Sequence, residues 1–273
     1  MIATAYIPAG TKILTEKPLF TVTMPEMVEG QGHRIIDMIA ELEQEFEKLS
    51  PTQKDEYLNQ HDYRFPGETQ TRLLTILRSN AYNTGDNHVG SFPKTARINH
   101  SCKPNCGNFW SEKQGFRVIY AESDIEKGDE ITVSYIPLLK SIKNRQARLR
   151  QYGFVCDCSA CQSPESSKRR VKISDLLESL EQKLYSVSKK DEVNERLVKK
   201  AVALVELIED EGLTNYLARA FHLASVFNQR RGNLKVALEW AFRELEIHQW
   251  AEFDSEEALA TMQYIETLRA AKR

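Results

Sequence analysis

The distribution of cysteines constrains this chain more than any other feature. Five are present, and all lie between Cys102 and Cys161. The odd number and the crowding argue for reduced thiols with one local purpose rather than for a disulfide framework. Cys156, Cys158 and Cys161 form CxCxxC, a spacing that can put three thiolates on one soft cation. Structural zinc takes four ligands, so a fourth must come from elsewhere. Cys102 and Cys106 are the candidates, with His100 and His61 as weaker alternatives, while His33, His88, His222 and His248 read as surface or core residues.

Around this cluster the pattern is mixed. Thr11 to Thr23 alternates as two short strands and is stopped by Pro25. Arg34 to Lys48 carries apolar residues at helical spacing, ended by Ser50-Pro51, and a second helix is expected from about Thr69 to Ser79. Asn80 to Asn108 is rich in Gly, Asn, Pro and Ser and reads as functional loop. Strand character returns at Gly115 to Tyr120 and Glu130 to Ile136. After Cys161 the chain becomes polar and basic, then helical: Leu176, Leu177, Leu180 and Leu184; Leu197, Ala201, Leu204, Val205 and Ile208; Leu217, Phe221, Ala224 and Phe227 recur at helical spacing. Gly212 and Gly232 stand at cap positions, and Asp254 with Glu257 forms a capping box for a last helix.

Several classes are excluded. With 37 basic and 39 acidic residues the net charge is −2, so no global field draws the chain to nucleic acid or anionic lipid. It has no apolar run long enough to span a bilayer and no signal peptide, so an intracellular protein, in nucleus or cytoplasm, is expected. The run SerSerLysArgArgValLys reads as a nuclear signal or a solvated connector.

The segment Arg97 to Asn105, RINHSCKPN, resembles the NHSCxPN signature of SET-domain lysine methyltransferases. Gly128 to Ile136, GDEITVSYI, resembles the second signature of that family, and the CxCxxC that follows resembles its post-SET motif. The stretch SYIPLLKSIKNRQARLRQYGFVCDCSAC is most similar to the SMYD (SET and MYND domain) branch. The MYND finger's own ligands are missing, so the chain resembles the MYND-less, fungal-type relatives. About 160 residues fall within the resemblance.

The resemblance implies an α+β protein. A β-rich SET fold with a helical insert at about residues 30–79 and a zinc-bound post-SET segment would occupy residues 1–161. A linker would follow at 162–172, and an all-α, helical-hairpin (tetratricopeptide-like) domain at 173–273. It implies S-adenosylmethionine as cofactor and a protein substrate presenting a lysine, histone or non-histone. No direct contact with nucleic acid or membrane is expected, and the chain is expected to be a monomer.

Residue by residue, Asn80, Asn99 and His100 match cofactor-contacting positions and Phe154 matches the aromatic on the adenine. Tyr135 matches the catalytic tyrosine, Tyr152 a wall of the lysine channel, and Cys102 the fourth ligand of a structural zinc shared with Cys156, Cys158 and Cys161. Cys106 has no counterpart and is assigned to packing. In the family a GxG stretch precedes the residues matching Ala3-Thr4. Met1 stands where that stretch would end, so the cofactor's methionine end is left unmatched. The competing expectation is a non-catalytic SET scaffold that binds a protein partner.

Overall fold

The computed structural model describes residues 1–25, 27–28, 32–33, 35–186 and 195–272. Three small sheets and a two-residue hairpin make the first half. Strand β1 (Lys12–Glu16) pairs antiparallel with β9 (Phe116–Ala121), which pairs with β8 (Cys106–Ser111). Strand β2 (Thr21–Thr23) pairs with β6 (His88–Gly90), and β6 with β5 (Tyr82–Asn83). Strands β7 (Asn99–His100) and β10 (Thr132–Val133) pair in parallel, Asn99 opposite Thr132 and His100 opposite Val133. The hairpin is β3 (Met27–Val28) with β4 (Gly32–His33).

The insert holds three helices, α1 (Ile35–Glu47), α2 (Pro51–Leu58) and α3 (Arg72–Asn80). Arg34 and residue 30, which bound the expected first helix and the insert, lie outside the described residues, as does the His33 side chain. Ser50-Pro51 does end α1, but it also starts α2. The Ser50 hydroxyl accepts from Gln53 N–H, the Gln53 side chain accepts from Ser50 N–H, and proline stands at the first helical position. Leu42, Phe46 and Tyr57 of this layer bury against Phe20, Val22 and Leu77.

After β10 come α4 (Ile142–Leu149), α5 (Ser159–Gln162) and α6 (Pro164–Ser186). Then α7 (Glu195–Glu211), α8 (Leu217–Arg230), α9 (Leu234–Ala251) and α10 (Glu256–Lys272) pack successively, each on its predecessor. Gly212 and Gly232 have φ of +65° and +84°, the left-handed geometry of a helix stop. The last helix is capped by Ser255, whose Oγ accepts from Ala258 N–H at 3.1 Å, and not by Asp254, which instead pairs with Lys113.

The stretch 162–172, expected as a linker, is mostly helix. Ser163 Oγ accepts from Ser166 N–H at 3.1 Å and Pro164 opens the helix, a start signal that the basic, Ser-rich composition obscures. Residues here are also not all solvated. Arg170 is fully buried, its Nε donating to Glu211 Oε1 at 3.0 Å, and Ser166 donates to the same carboxylate. Burial raises the Glu211 pKa, but the donors Ser166, Arg169 and Arg170 more than offset this and hold it below the ordinary carboxylate value. Arg170 Nη1 reaches the Leu138 carbonyl at 3.5 Å, and the Tyr216 hydroxyl accepts from Leu138 N–H at 3.0 Å. The helices therefore grip the chain just after Tyr135.

A second dock joins the far end of the helices to the β8–β9 turn. Glu252, buried, accepts from Ser111 Oγ at 2.8 Å and Gln114 Nε2 at 2.5 Å. The Trp250 ring lies beside Tyr120 and against Gly10.

Glu211→Gln strands the Arg170 guanidinium without its carboxylate, and removing one partner of a buried ion pair costs about 3–5 kcal/mol. Denaturant unfolding should show that loss, with part of it recovered in Arg170→Met/Glu211→Leu. A change near zero in the single variant would show that the pair contributes nothing to holding α6 and α7 together.

Candidate active site

The thiol cluster comes from two places. Cys102 follows β7, Cys156 and Cys158 lie on the segment leading into α5, and Cys161 lies within α5. The Sγ atoms of Cys102, Cys156, Cys158 and Cys161 all lie within 4.8 Å of one another, with Cys102 and Cys161 at 3.6 Å. A tetrahedral ion with bonds of about 2.3 Å to sulfur would set its ligands about 3.8 Å apart, so the arrangement fits zinc. Neither His61 nor His100 is part of the set. Cys106 is 1% exposed in a separate apolar cluster with Ile98, Ile119 and Ala121, and burial pushes its thiol up to about 12.

A second observation fits the charge that a metal-loaded cluster would carry. Arg145 of α4 is fully buried and, among the described residues, has no carboxylate partner. Its Nε points at Cys102 Sγ at 3.3 Å, its Nη2 lies 3.9 Å from Cys161 Sγ, and its remaining bonds go to the carbonyls of Lys140 and Ala160. A guanidinium in such a place needs a counter-charge. Four thiolates around one divalent cation would leave a net −2 and would supply it.

His100 connects the cluster to the cleft. Its Nδ1 accepts from the Tyr135 N–H at 3.0 Å, so the ring proton sits on Nε2, which faces Cys102 Sγ at 3.3 Å. Burial pushes its pKa down to about 4, which keeps the ring neutral and the Nδ1 lone pair available.

Beyond His100 opens a cleft of about 1140 Å³. All the remaining candidates line it: Asn80, Asn99, His100, Tyr135, Tyr152 and Phe154. The Tyr135 ring centroid lies 5.1 Å from Tyr152, 5.3 Å from His100 and 6.5 Å from Phe154. Its hydroxyl donates to the Ile98 carbonyl at 2.5 Å, and burial, with Tyr152 and Glu130 nearby, raises its pKa to about 12. It therefore stays protonated at neutral pH and keeps its lone pairs for another donor. Asn80 donates both amide protons to backbone, to His61 O and Ile76 O at 2.7 Å each, which fixes the direction of its free Oδ1. Asn99 Nδ2 donates to Glu130 Oε1 at 2.7 Å.

The cysteine arm is held from the insert side as well. The His61 ring lies 3.0 Å from the Tyr152 carbonyl through Nε2. Gly153, between Tyr152 and Phe154, has φ +83°, and a Cβ there would meet the Tyr63 ring at 2.2 Å. Only glycine lets the arm turn this close to the insert. Sequence reading misses His61 as a cleft residue, and likewise Tyr82, Asn83, Asn108, Trp110 and Arg117. His61 lies between α2 and α3 and the others on strands with no local motif, and only the tertiary fold brings them to one cleft.

A family model for the SET domain matches residues 1–136. Histone-lysine N-methyltransferase set5 of Schizosaccharomyces pombe is 36% identical over 178 residues, 64% of this chain and 50% of the relative. N-lysine methyltransferase SMYD2 of Gallus gallus is 41% identical over 110 residues, 38% of this chain and 25% of the relative. Histone-lysine N-methyltransferase SMYD3 of Homo sapiens is 38% identical over 78 residues, covering 28% and 18%. The chain thus spans half, or less, of the length of these relatives.

The geometry predicts one zinc per chain by metal analysis, lowered in Cys158→Ser. Arg145→Met should release zinc to a chelator about tenfold or more faster than the unsubstituted protein, in line with the loss of an outer-shell partner. Equal release rates would show that the guanidinium does not stabilise the bound ion.

Proposed function

The chain is a SET-domain protein related to the lysine methyltransferases of the SMYD type, and on that premise we propose that it transfers methyl groups to a lysine side chain of a protein substrate. The observation that carries this reading is the meeting of Tyr135, Tyr152, Phe154, His100, Asn80 and Asn99, from four separate stretches of chain, on one cleft.

S-adenosylmethionine, when bound, supplies a methyl group on a positively charged sulfur. The cleft fits such a molecule: the Phe154 and His100 rings, 6.1 Å apart, offer aromatic surface for a purine. The oriented Asn80 Oδ1 and the Asn99 side chain offer polar contacts.

The remaining work falls to the protein. A lysine with an unperturbed pKa of about 10.4 arrives protonated, and the transfer needs the neutral amine. Tyr135 and Tyr152, with Tyr82 beside them, form an aromatic wall that disfavours the charged form by desolvation. Tyr135 has its hydroxyl proton committed to Ile98 O, so toward the cleft it presents lone pairs. These accept from the incoming amine or from the polarised methyl group and fix the line of approach, which is catalysis by positioning. The direction of the tyrosine depends on the His100 bond to its backbone N–H, and so on Cys102. In this scheme the metal is structural, since four sulfurs leave a tetrahedral ion no open position.

Mass spectrometry of lysine-bearing peptides incubated with protein and S-adenosylmethionine tests the activity directly. Tyr135→Phe should lower kcat by about tenfold to a hundredfold while changing cofactor affinity by less than about threefold, the pattern of an interaction made in the transition state. If cofactor affinity falls as far as kcat, the hydroxyl serves the architecture of the cleft rather than the transfer.

A further inference from the structure

Among the described residues three arginines are at least nine-tenths buried: Arg117 at 4%, Arg145 at 0% and Arg170 at 0% exposure. Arg170 pairs with the Glu211 carboxylate, and Arg145 faces the sulfurs of the candidate metal cluster. Arg117 has neither kind of partner. Its Nη1 donates to Asn108 Oδ1 at 2.6 Å and its Nη2 to the Asn83 carbonyl, both neutral acceptors, and its Nε has no acceptor. The guanidinium lies over the Tyr82 and Phe92 rings at 4.6 and 5.0 Å, which offsets part of its burial. Glu16 is the cross-strand neighbour of Arg117, but its carboxylate accepts from Lys94 N–H, Thr95 N–H and the Thr95 hydroxyl and forms no ion pair with it. Burial accordingly lowers the Arg117 pKa to about 10.

The surroundings share this excess of donors. Trp110 stands opposite Arg117 in the β8–β9 register, Asn108 lies on the same face, and all three line the cleft that holds Tyr135. Trp110 Nε1 is buried with no acceptor. The Asn108 oxygen is already taken by Arg117, so its amide group has only N–H left to offer. Glu112, Glu130 and Asp157 also line the cleft, and none of them pairs with Arg117.

We propose that this end of the cleft is an anion subsite, completed when a ligand carboxylate or phosphate meets Arg117, Asn108 and Trp110. Resting on the methyl-transfer reading, the anion belongs to an acidic or phosphorylated residue flanking the target lysine, or to the carboxylate end of the cofactor.

Arg117 also ties β5 to β8, so the test leaves it in place and uses Asn108→Asp. That variant keeps the acceptor oxygen and adds the missing counter-charge from within. On the full chain, peptides with a central lysine and Glu, Gln, phosphoserine or Lys at each flanking position are ranked by kcat/KM. Cofactor affinity is measured by calorimetry and the thermal midpoint of the free protein by scanning.

The subsite predicts a higher midpoint for Asn108→Asp. With a substrate anion, Glu or phosphoserine at one position exceeds Gln by about tenfold or more, and Asn108→Asp reduces the ratio to within about twofold. With the cofactor carboxylate as occupant, the peptide ranking is flat and Asn108→Asp weakens cofactor binding by about tenfold or more. A flat ranking with unaltered cofactor affinity overturns the subsite and leaves methyl transfer standing. If no peptide is methylated, the methyl-transfer reading falls instead, and the subsite is judged on midpoint and cofactor affinity: no change in either overturns it.

Discussion

The sulfur of Cys102 is the point on which the site depends. It lies within 3.6 Å of Cys161 Sγ, Arg145 Nε and His100 Nε2 at once, and His100 passes the constraint to the Tyr135 backbone. Two parts of the chain meet there, 43 residues apart at Cys102 and Arg145: the loop after β7, and helix α4 with the cysteine arm that follows it and carries Tyr152 and Phe154. A cation binding the four thiolates would contribute free energy directly to the fold, because the site does not exist in the unfolded chain.

The helical region completes what the sulfur begins. It holds the SET region at two places, through Leu138 just after Tyr135 and through Glu252 at the β8–β9 turn. The first fixes the segment between the tyrosine and α4. The second fixes the hairpin whose inner face contributes Asn108, Trp110 and Arg117 to the cleft. The helices thus support both ends of one wall, which makes them part of the site's scaffold.

Much of this is legible in the sequence, and for physical reasons. The CxCxxC run and NHSC segment announce a soft metal site because packing gives no other reason to concentrate thiols. Gly212 and Gly232 mark helix ends because few residues tolerate that backbone. Other features are hidden. The α2 start at Ser50 looks like a stop, since the same residues serve both. The connector at 162–172 looks solvated because its arginines are polar, and nothing local announces that Glu211, 41 residues from Arg170, draws one of them inside. Arg117 and Trp110 are equally silent, because their meaning lies in a cross-strand pairing and in an absent partner.

The position of Glu252 bears on how the molecule forms. Its bond to Ser111 joins residues 141 apart in the chain, and the parallel β7–β10 pair encloses the whole β8–β9 hairpin between its strands. Contacts of such separation pay their loop-closure entropy before they gain stability, so they set the pace of folding. During synthesis the hairpin can form early, while the wall it carries waits for α9 to emerge. A nascent protein stalled before Glu252 would therefore hold all of its SET residues without the contact that anchors the hairpin.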